Sequence, residues 1–326
     1  REALRIRRAV LGADAPQVAA SVTTLGQLLD NHGKDAEAEV LLREARDRRE
    51  KIFGPDHPMA TQAANNLASV IHDQGRYAEA EPLYRQALEK NRARLGDHFD
   101  TAMNFNNLAT LLEDAGRYDE AGRYYRESLD MRRRVFGPNH VNVARTLNNY
   151  ARFLMIIGRP AEALPLMEET ERIRLLTLKP DHVDIVTSRL NRVAILSQLG
   201  RRAEADREFP VLIEQLRQKV APGSVVIGGP LGSYARHLLR TGRPAEALPV
   251  AEEGLAVRVK SLPPTHWQVA QLDATAGEIL VQLGRPAEGV PRLERSLGAL
   301  RAALPARDWR IREVEGWVAG LSKNSR

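Results

Sequence analysis

The chain has 326 residues, with 48 Lys and Arg against 42 Asp and Glu, a formal net charge of +6, and no cysteine. The lack of cysteine excludes a disulfide framework and a thiolate zinc site, and no apolar run reaches the roughly 18 residues that a membrane-spanning helix needs. Charges of both signs alternate as on solvated helix faces, so the basic balance does not favour a nucleic-acid partner.

The sequence repeats with a period of about 42 residues. Each repeat has a Gly at its centre, followed by Arg or Lys, and apolar residues at helical spacing stand on both sides of this turn. The pattern predicts seven helical hairpins, each of which contacts only its neighbours. The central glycines are Gly33, Gly75, Gly116, Gly158, Gly200, Gly242 and Gly284.

The predicted elements follow this period along the chain. Residues 1–15 are expected to be the end of a truncated preceding repeat, because the apolar stripe of Leu4 and Leu11 lacks a partner helix. Residues 16–220 hold hairpins one to five, 221–304 hold the degenerate hairpins six and seven, and 305–326 form a C-terminal capping helix and tail. The first five hairpins are predicted at 16–53, 58–95, 99–136, 141–178 and 183–220.

Hairpin six departs from the pattern. Four Gly and two Pro between Pro222 and Gly232 would cost a helix about 1 kcal/mol per Gly and about 3 kcal/mol per Pro. We expect its first helix to start late, near Pro230. A Gly-rich phosphate cradle is the alternative, but the Lys-Ser/Thr pair of a P-loop is missing.

The loops between hairpins share a histidine. Gly or Pro is expected to end the preceding helix, and Asp, Asn or Thr to cap the next one. Successive histidines lie one repeat apart, about 10 Å or more, whereas zinc needs nitrogen ligands at about 2 Å, so loop and capping roles are favoured over a metal site. These histidines are His57, His98, His140, His182 and His266.

The residues show no catalytic constellation. The chain has no Ser/His/Asp order, no paired-carboxylate motif and no HExxH helix. We therefore predict a protein that is not an enzyme and needs neither a cofactor nor a metal.

Small residues recur five positions after and seven positions before each turn, as at Ala80 and Ala68. We expect them to let the two helices of a hairpin approach closely, while larger side chains fill the space between hairpins. These larger residues are Leu83, Tyr84, Tyr125, Met167 and Phe209.

Hairpin two carries the pattern Leu67-Ala68, Gly75, Tyr77, Ala80, Tyr84 and Ala87, which resembles the tetratricopeptide repeat (TPR). The 42-residue period, the Asn-Asn-Leu-Ala motif and the Gly-Pro-Asp-His loop are similar to the kinesin light chain subclass. The resemblance implies an all-α fold, a right-handed α-solenoid of antiparallel helical hairpins.

Asparagine recurs in the middle of the first helices, although it is a poor helix former. One hypothesis is that its amides form hydrogen bonds between neighbouring repeats. The other is that they line a concave groove and bind the backbone of an extended peptide, as the resemblance to kinesin light chain repeats implies for Asn66, Asn107 and Asn149. The predicted groove residues are Asn65, Asn66, Asn106, Asn107, Arg145, Asn148, Asn149, Arg152, Asn191 and Arg236.

Charge gives the predicted groove a direction. Helical spacing places Arg145 and Arg152 on the face of Asn148 and Asn149. A ligand should therefore bring acidic side chains to the arginines, unless these charges only solvate helix faces. The N-terminal hairpins carry Asp30, Asp73, Glu113 and Asp114 about one turn further along, and hairpin six carries Arg236 and Arg240.

We predict a non-catalytic protein–protein interaction scaffold that binds an extended, acidic peptide segment. The alternative is a sensor or regulatory array of a larger signalling protein, whose kinase, NTPase or protease effector lies outside this segment and acts as an intramolecular partner. We expect a soluble, cytoplasmic protein with no nucleic-acid or membrane partner, and the Arg- and Ala-rich composition favours a bacterial source.

Overall fold

The computed structural model describes residues 1–12, 15–31, 34–260, 262, 264–304, 306 and 308–324. In this part of the chain, all regular elements are helical, and the helices pair in succession into antiparallel hairpins. The predicted all-α solenoid is confirmed. The chain divides into two compact units, unit 1 at residues 1–137 and unit 2 at residues 138–326.

Unit 1 begins with a single helix and continues with three hairpins, while unit 2 has four hairpins and a last single helix. The helices of unit 1 are α1 Glu2–Leu11, α2 Pro16–Asn31, α3 Asp35–Phe53, α4 Pro58–Asp73, α5 Tyr77–Leu95, α6 Phe99–Asp114 and α7 Tyr118–Phe136. Those of unit 2 are α8 Val141–Ile156, α9 Pro160–Thr177, α10 Val183–Gln198, α11 Arg202–Lys219, α12 Gly228–Arg240, α13 Pro244–Arg258, α14 Trp267–Gln282, α15 Pro286–Ala303 and α16 Trp309–Asn324, with a 3₁₀ turn at Val225–Ile227 before α12.

Each described hairpin turns at its central glycine. Gly75 has a φ of 76°, a left-handed conformation that other residues adopt only with strain. The next amide, that of Arg76, donates to the carbonyl of Ile71 at 3.1 Å and closes the end of the first helix. Gly33, the predicted turn of hairpin one, lies outside the described residues.

The two helices of a hairpin approach closely at the small residues, as predicted. Ala68 and Ala80 are fully buried. In hairpin seven a Cβ atom on Gly289 would stand 2.5 Å from the carbonyl oxygen of Gly277 on the facing helix. At this crossing the backbones of α14 and α15 meet with no room for a side chain.

The loop histidines cap the first helices. Nδ1 of His182 accepts a hydrogen bond from the backbone N–H of Asp184 at 3.1 Å, which satisfies one of the free amides at the start of α10. The prediction that Asp, Asn or Thr supplies this cap was therefore wrong for these helices, because the imidazole one residue later does so. The same bond occurs at His57, His98, His140 and His266.

The first helix of hairpin six is short, with 13 residues against 16 in the other described hairpins. It begins at Gly228, two residues before the predicted start, and follows the 3₁₀ turn. A Cβ atom on Gly228 would lie 2.8 Å from Nε of Arg258, and one on Gly232 would lie 2.8 Å from Leu272. These glycines therefore allow close packing of α12 on α13 and α14.

The last helix continues the repeat. α16 has the same 16-residue length as α14 and lies 42 residues later, so that Trp309 corresponds to Trp267. Oδ1 of Asp308 accepts from the backbone N–H of Arg310 at 2.8 Å and replaces the histidine cap. The predicted capping helix thus stands where the first helix of a further hairpin would stand, and its Ile311 packs into the core of hairpin seven.

An arginine sixteen positions after the turn, buried at Arg49 and Arg174 and half-buried at Arg258, ties several second helices to the next hairpin. The sequence analysis did not identify these residues. In unit 2, Nη1 of Arg174 on α9 donates to the carbonyl of Asp184 on α10 at 2.7 Å, and Nη1 of Arg258 donates to Oε1 of Gln268 at 2.6 Å. In unit 1, Arg49 bonds the carbonyl of Met59. Burial lowers the pKa of all three guanidinium groups.

Candidate peptide-binding groove

The first helices of successive hairpins contact each other directly in both units. In unit 1, α4 contacts α2 and α6, and in unit 2 the series α8, α10, α12, α14 and α16 is continuous. The first helices thus line one side of each unit, and the predicted groove residues all lie on them.

In unit 1 the asparagines form a network between hairpins. Oδ1 of Asn65 accepts from Nδ2 of Asn104 at 2.9 Å and from Nδ2 of Asn107 at 3.2 Å. Asn91 on α5 extends the network by donating to Oδ1 of Asn104 at 2.6 Å. The hydrogen bonds between repeats that one hypothesis required are therefore present at Asn65.

Burial divides the predicted groove residues of unit 1 into two pairs. Asn65 and Asn106 are only 3% and 6% exposed, so their amides face protein. Asn66 and Asn107 are half-buried and keep part of their surface open. Only the second pair offers amides that a ligand could reach without rearrangement.

Carboxylates lie close together at the C-terminal ends of the first helices of unit 1. Burial, followed by the charges of Asp73 and Asp35, raises the pKa of Asp30 to about 6. Oδ2 of Asp114 is 2.9 Å from Nε2 of His72, which links α6 to α4. These carboxylates therefore form an acidic cluster at this end of unit 1, while its place in a ligand groove stays a prediction.

Glu113 does not belong to the acidic lining, so its predicted position on the groove face was wrong. Its side chain is 2% exposed and accepts a hydrogen bond from the hydroxyl of Tyr125 at 2.7 Å. Tyr125 lies on the second helix of the same hairpin, and its hydroxyl satisfies the buried carboxylate.

In unit 2 the predicted asparagines are more open. Nδ2 of Asn191 on α10 donates to Oδ1 of Asn148 on α8 at 3.0 Å, which again joins neighbouring first helices. Asn148, Asn149 and Asn191 are half-buried, and Arg145 and Arg152 are exposed on the same helix as the first two. This surface combines amide groups with two guanidinium groups.

A cleft of about 650 Å³ lies between the ends of the first helices of unit 2 and the start of α16. Met155 and Ile156 of α8 form an apolar wall, while Arg240 of α12 and Arg312 of α16 supply positive charge. The cleft also contains Glu313, whose Oε1 is 4.0 Å from Nη2 of Arg240. The stacking of the first helices thus brings α8 and α16 to one site.

Arg236 lies beside this cleft and is half-buried. Burial lowers the pKa of its guanidinium, the carboxylate of Glu313 opposes this shift, and the charges of Arg240 and Arg310 add to it. Arg236 thus lies near two cations, Arg240 and Arg310, and one carboxylate, Glu313.

A buried histidine connects three helices next to the cleft. His237 is 1% exposed; its Nδ1 is 2.8 Å from Oγ of Ser197 and its Nε2 is 3.0 Å from Oδ1 of Asp206. Arg243 also donates to Oδ1 of Asp206 at 2.7 Å. The residue types match a hydrolytic triad, but Ser197 stands in the last turn of α10, where free carbonyls rather than oxyanion-binding amides collect.

The described residues contain no group of three or more His, Asp or Glu that could hold a metal ion. Among the same residues, no helix combines the length and apolar character that a membrane span requires.

Family models of the tetratricopeptide repeat match residues 33–93, 59–133 and 100–174, and a further model of that repeat matches residues 229–253. Together the matched ranges cover slightly more than half of the chain. No curated protein sequence matches significantly.

Several solved structures share the fold. A Podosopora anserina protein described as a kinesin light chain with nearly identical TPR-like repeats is 22% identical, covers 63% of this chain and 95% of its own, and has a TM-score of 0.52. The quorum sensor NprR of B. thuringiensis is 15% identical, with 92% and 81% covered and a TM-score of 0.66. A Rap protein complexed with Competence and Sporulation Factor is 12% identical, with 88% and 77% covered and a TM-score of 0.63.

These likenesses are too distant in sequence to show more than the fold. The family models, the central glycines and the small residues at each helix crossing agree with one another. The chain belongs to the tetratricopeptide repeat family.

Proposed function

We propose that this protein is a non-catalytic protein–protein interaction scaffold whose first helices bind an extended, acidic peptide segment. The tetratricopeptide family and the fold shared with the Rap protein, which was solved with Competence and Sporulation Factor, support an interaction role. The acidic ligand rests on one observation, the exposed Arg145 and Arg152 beside half-buried asparagines on α8.

The chemistry of this surface suits an extended backbone. An asparagine amide offers one acceptor and two donors, so a row of them can bond both the N–H and C=O groups of a peptide in any sequence. Guanidinium groups form shorter, charge-assisted hydrogen bonds with carboxylates and so select acidic side chains. In this proposal Asn149 and Asn191 contact the ligand, while the buried Asn65 and Asn106 position their neighbours.

The carboxylates of unit 1 restrict where an acidic ligand can bind. Asp30, Asp73 and Asp114 would repel acidic side chains, whereas the arginines of unit 2 attract them. We therefore expect the acidic peptide segment to bind unit 2.

The second candidate is a sensor or regulatory array within a larger signalling protein. The fold shared with the quorum sensor NprR favours it. In that case binding of the peptide would control a kinase, NTPase or protease domain outside this segment. A catalytic motif in the flanking sequence of the gene would decide for this candidate, and peptide binding itself is common to both.

The test is selection from a random twelve-residue peptide display library at fixed salt. We expect the wild type to enrich Asp and Glu, and Arg145→Glu with Arg152→Glu to lose this enrichment or to shift it to Lys and Arg. The matched control is Arg172→Glu with Arg207→Glu, which makes the same change of net charge at exposed positions of the second helices α9 and α11 and should leave the selection unchanged.

Two results would contradict the proposal. One is a wild-type selection without acidic enrichment. The other is equal enrichment by the double variant, provided that its circular dichroism spectrum shows the same helix content.

A further variant with Asn107→Ala, Asn149→Ala and Arg152→Glu should lose partner capture from the source lysate, read by mass spectrometry.

A further inference from the structure

The cleft of unit 2 carries more positive than negative charge. Arg202, Arg240 and Arg312 line it and Arg236 lies beside it, while Glu313 is the single carboxylate of the lining among the described residues. Arg310 is not counted in this excess, because it does not line the cleft and its guanidinium is bonded to both oxygens of Asp308 at 2.9 and 2.8 Å.

One enclosed donor at the cleft lacks an acceptor. It is the indole Nε1 of Trp309, which has no hydrogen-bond partner among the described residues, and Trp309 lines the cleft. A buried donor without a partner is costly and points to a group that is supplied from outside. Next to it, the guanidinium of Arg236 is half-buried and close to the like charges of Arg240 and Arg310.

Glu313 is only a partial anionic partner for the arginines of the cleft. Its carboxylate oxygen is 4.0 Å from Nη2 of Arg240, at the outer limit of an ion pair and too far for a hydrogen bond. It projects from α16 into a site that faces α12, where a second carboxylate could approach the arginines more closely.

The surroundings favour a carboxylate over a phosphate. The last turns of α8, α10 and α12 border the cleft, and so do the first residues of α9 and α11, Pro160 and Arg202. The partial charges of these helix ends oppose one another, so they do not select between the two anions. Met155 and Ile156 offer apolar contact to the methylene groups that carry a side-chain carboxylate.

We propose that this cleft binds one carboxylate of the peptide ligand and that Glu313 is a built-in competitor, which pairs with Arg240 in the free protein and gives way when the ligand carboxylate enters. The inference rests on the proposed peptide-binding function and adds a second, separate site to it. Glu313 would then set the affinity of the cleft, because the ligand must displace it.

The test uses butyrate as a probe and butyramide as its uncharged analogue, at constant ionic strength. The readout is the indole ¹H–¹⁵N resonance of Trp309, identified as the signal that Trp309→Phe removes. We expect a saturable shift with butyrate and none with butyramide. Arg240→Gln should weaken the affinity by about threefold or more, and Glu313→Gln should strengthen it by about threefold.

The matched control is Glu315→Gln. Glu315 lies on the same helix but pairs with Arg301 at 2.7 Å, away from the cleft, so its variant should bind butyrate like the wild type. The two-dimensional spectrum reports in the same experiment whether each variant is folded. If Arg240→Gln is unfolded, Arg240→Lys takes its place in the titration.

The proposal is overturned if butyramide produces the same shift, if the arginine variant binds butyrate unchanged, or if Glu313→Gln weakens binding as Arg240→Gln does. Tighter binding of inorganic phosphate than of butyrate would overturn the assignment to a carboxylate. The peptide selection with the Arg145 and Arg152 variant does not involve this cleft, so the scaffold function can stand if the cleft fails. Failure of the scaffold function would be seen in that selection and not in the butyrate titration, so the two failures are distinguishable.

Discussion

Nδ2 of Asn107 donates a hydrogen bond to Oδ1 of Asn65, 3.2 Å away and 42 residues earlier in the chain. Asn104 donates to the same oxygen at 2.9 Å. Asn65→Ala would leave two amide donors without their acceptor, at about 1–3 kcal/mol for each buried group. We expect the free energy of unfolding in urea to fall by about 2 kcal/mol, measured by circular dichroism.

Asn66→Ala is the matched control for this prediction. Asn66 neighbours Asn65 on α4, is half-buried and makes no hydrogen bond to the described residues. Since alanine is the better helix former, we expect a change within about 0.5 kcal/mol. Equal effects of the two substitutions would show that the network at Asn65 does not stabilise the stack.

Most of the fold was predictable because local rules repeat. The glycine at each turn and the small residues at each crossing recur every 42 residues, and the predicted limits of hairpins two to five agree with the helix ends to within a residue. The division into segments at residues 15, 220 and 304 stays a prediction. The extension of the repeat into α16 was not predicted, because Asp308 replaces the histidine cap.

The candidate site was predictable only in part. Helical spacing places Arg145, Asn148 and Arg152 on one face without any knowledge of packing. Helical spacing does not predict that the carboxylate of Glu113 is buried and accepts a hydrogen bond from the hydroxyl of Tyr125, because Tyr125 lies on another helix. The cleft could not be predicted from the sequence for the same reason, since it depends on how closely the stacking of the first helices brings α8 to α16.

The crossing of α14 and α15 predicts a strong effect of a single methyl group. A Cβ atom on Gly289 would stand 2.5 Å from the carbonyl oxygen of Gly277 and 2.8 Å from Cγ2 of Val281. Backbone atoms cannot give way as a flexible side chain does, so Gly289→Ala should separate the helices and cost about 2–3 kcal/mol. The thermal midpoint of unfolding would show it.

Gly298 on the same helix provides the opposite expectation. A Cβ atom there meets nothing within 4 Å, and Ala is favoured over Gly in a helix by up to about 1 kcal/mol. Gly298→Ala should therefore raise the thermal midpoint. Destabilisation by both substitutions would mean that helix crossing is not the cause.

Replacing a buried arginine between hairpins should lower the free energy of unfolding by a measurable amount. Arg174 is 7% exposed, and its side chain donates to the carbonyl of Asp184. Arg174→Ala removes this bond and the packing of the side chain, so we expect a loss of about 2 kcal/mol in urea unfolding. Arg172→Ala, on an exposed position of the same helix, should change stability by less than about 0.5 kcal/mol. Similar losses of stability from Arg174→Ala and Arg172→Ala would show that the effect comes from helix α9 as a whole and not from the buried arginine.

Asp30 predicts how stability depends on pH. Burial and the charges of Asp73 and Asp35 raise its pKa from 3.8 to about 6, so between these values the folded protein binds more protons than the unfolded chain. The contribution of this group to stability is therefore favourable at low pH and is lost as pH rises towards 6 and above. Asp30→Asn should stabilise the protein at pH 7.5 by about 1 kcal/mol, since partial exposure reduces the full effect.

The gain should shrink as pH falls from 6 to 4, because Asp30 itself becomes neutral there. Thermal unfolding of wild type and variant across this range would measure it. Asp47→Asn, at an exposed position on α3 that pairs with Arg46 at 2.6 Å, is the control and should show no such gain. A stabilisation by Asp30→Asn that is the same at pH 4 and pH 7.5 would mean that Asp30 is not a charged, strained group in the folded protein, and that asparagine acts there through packing or helix propensity alone.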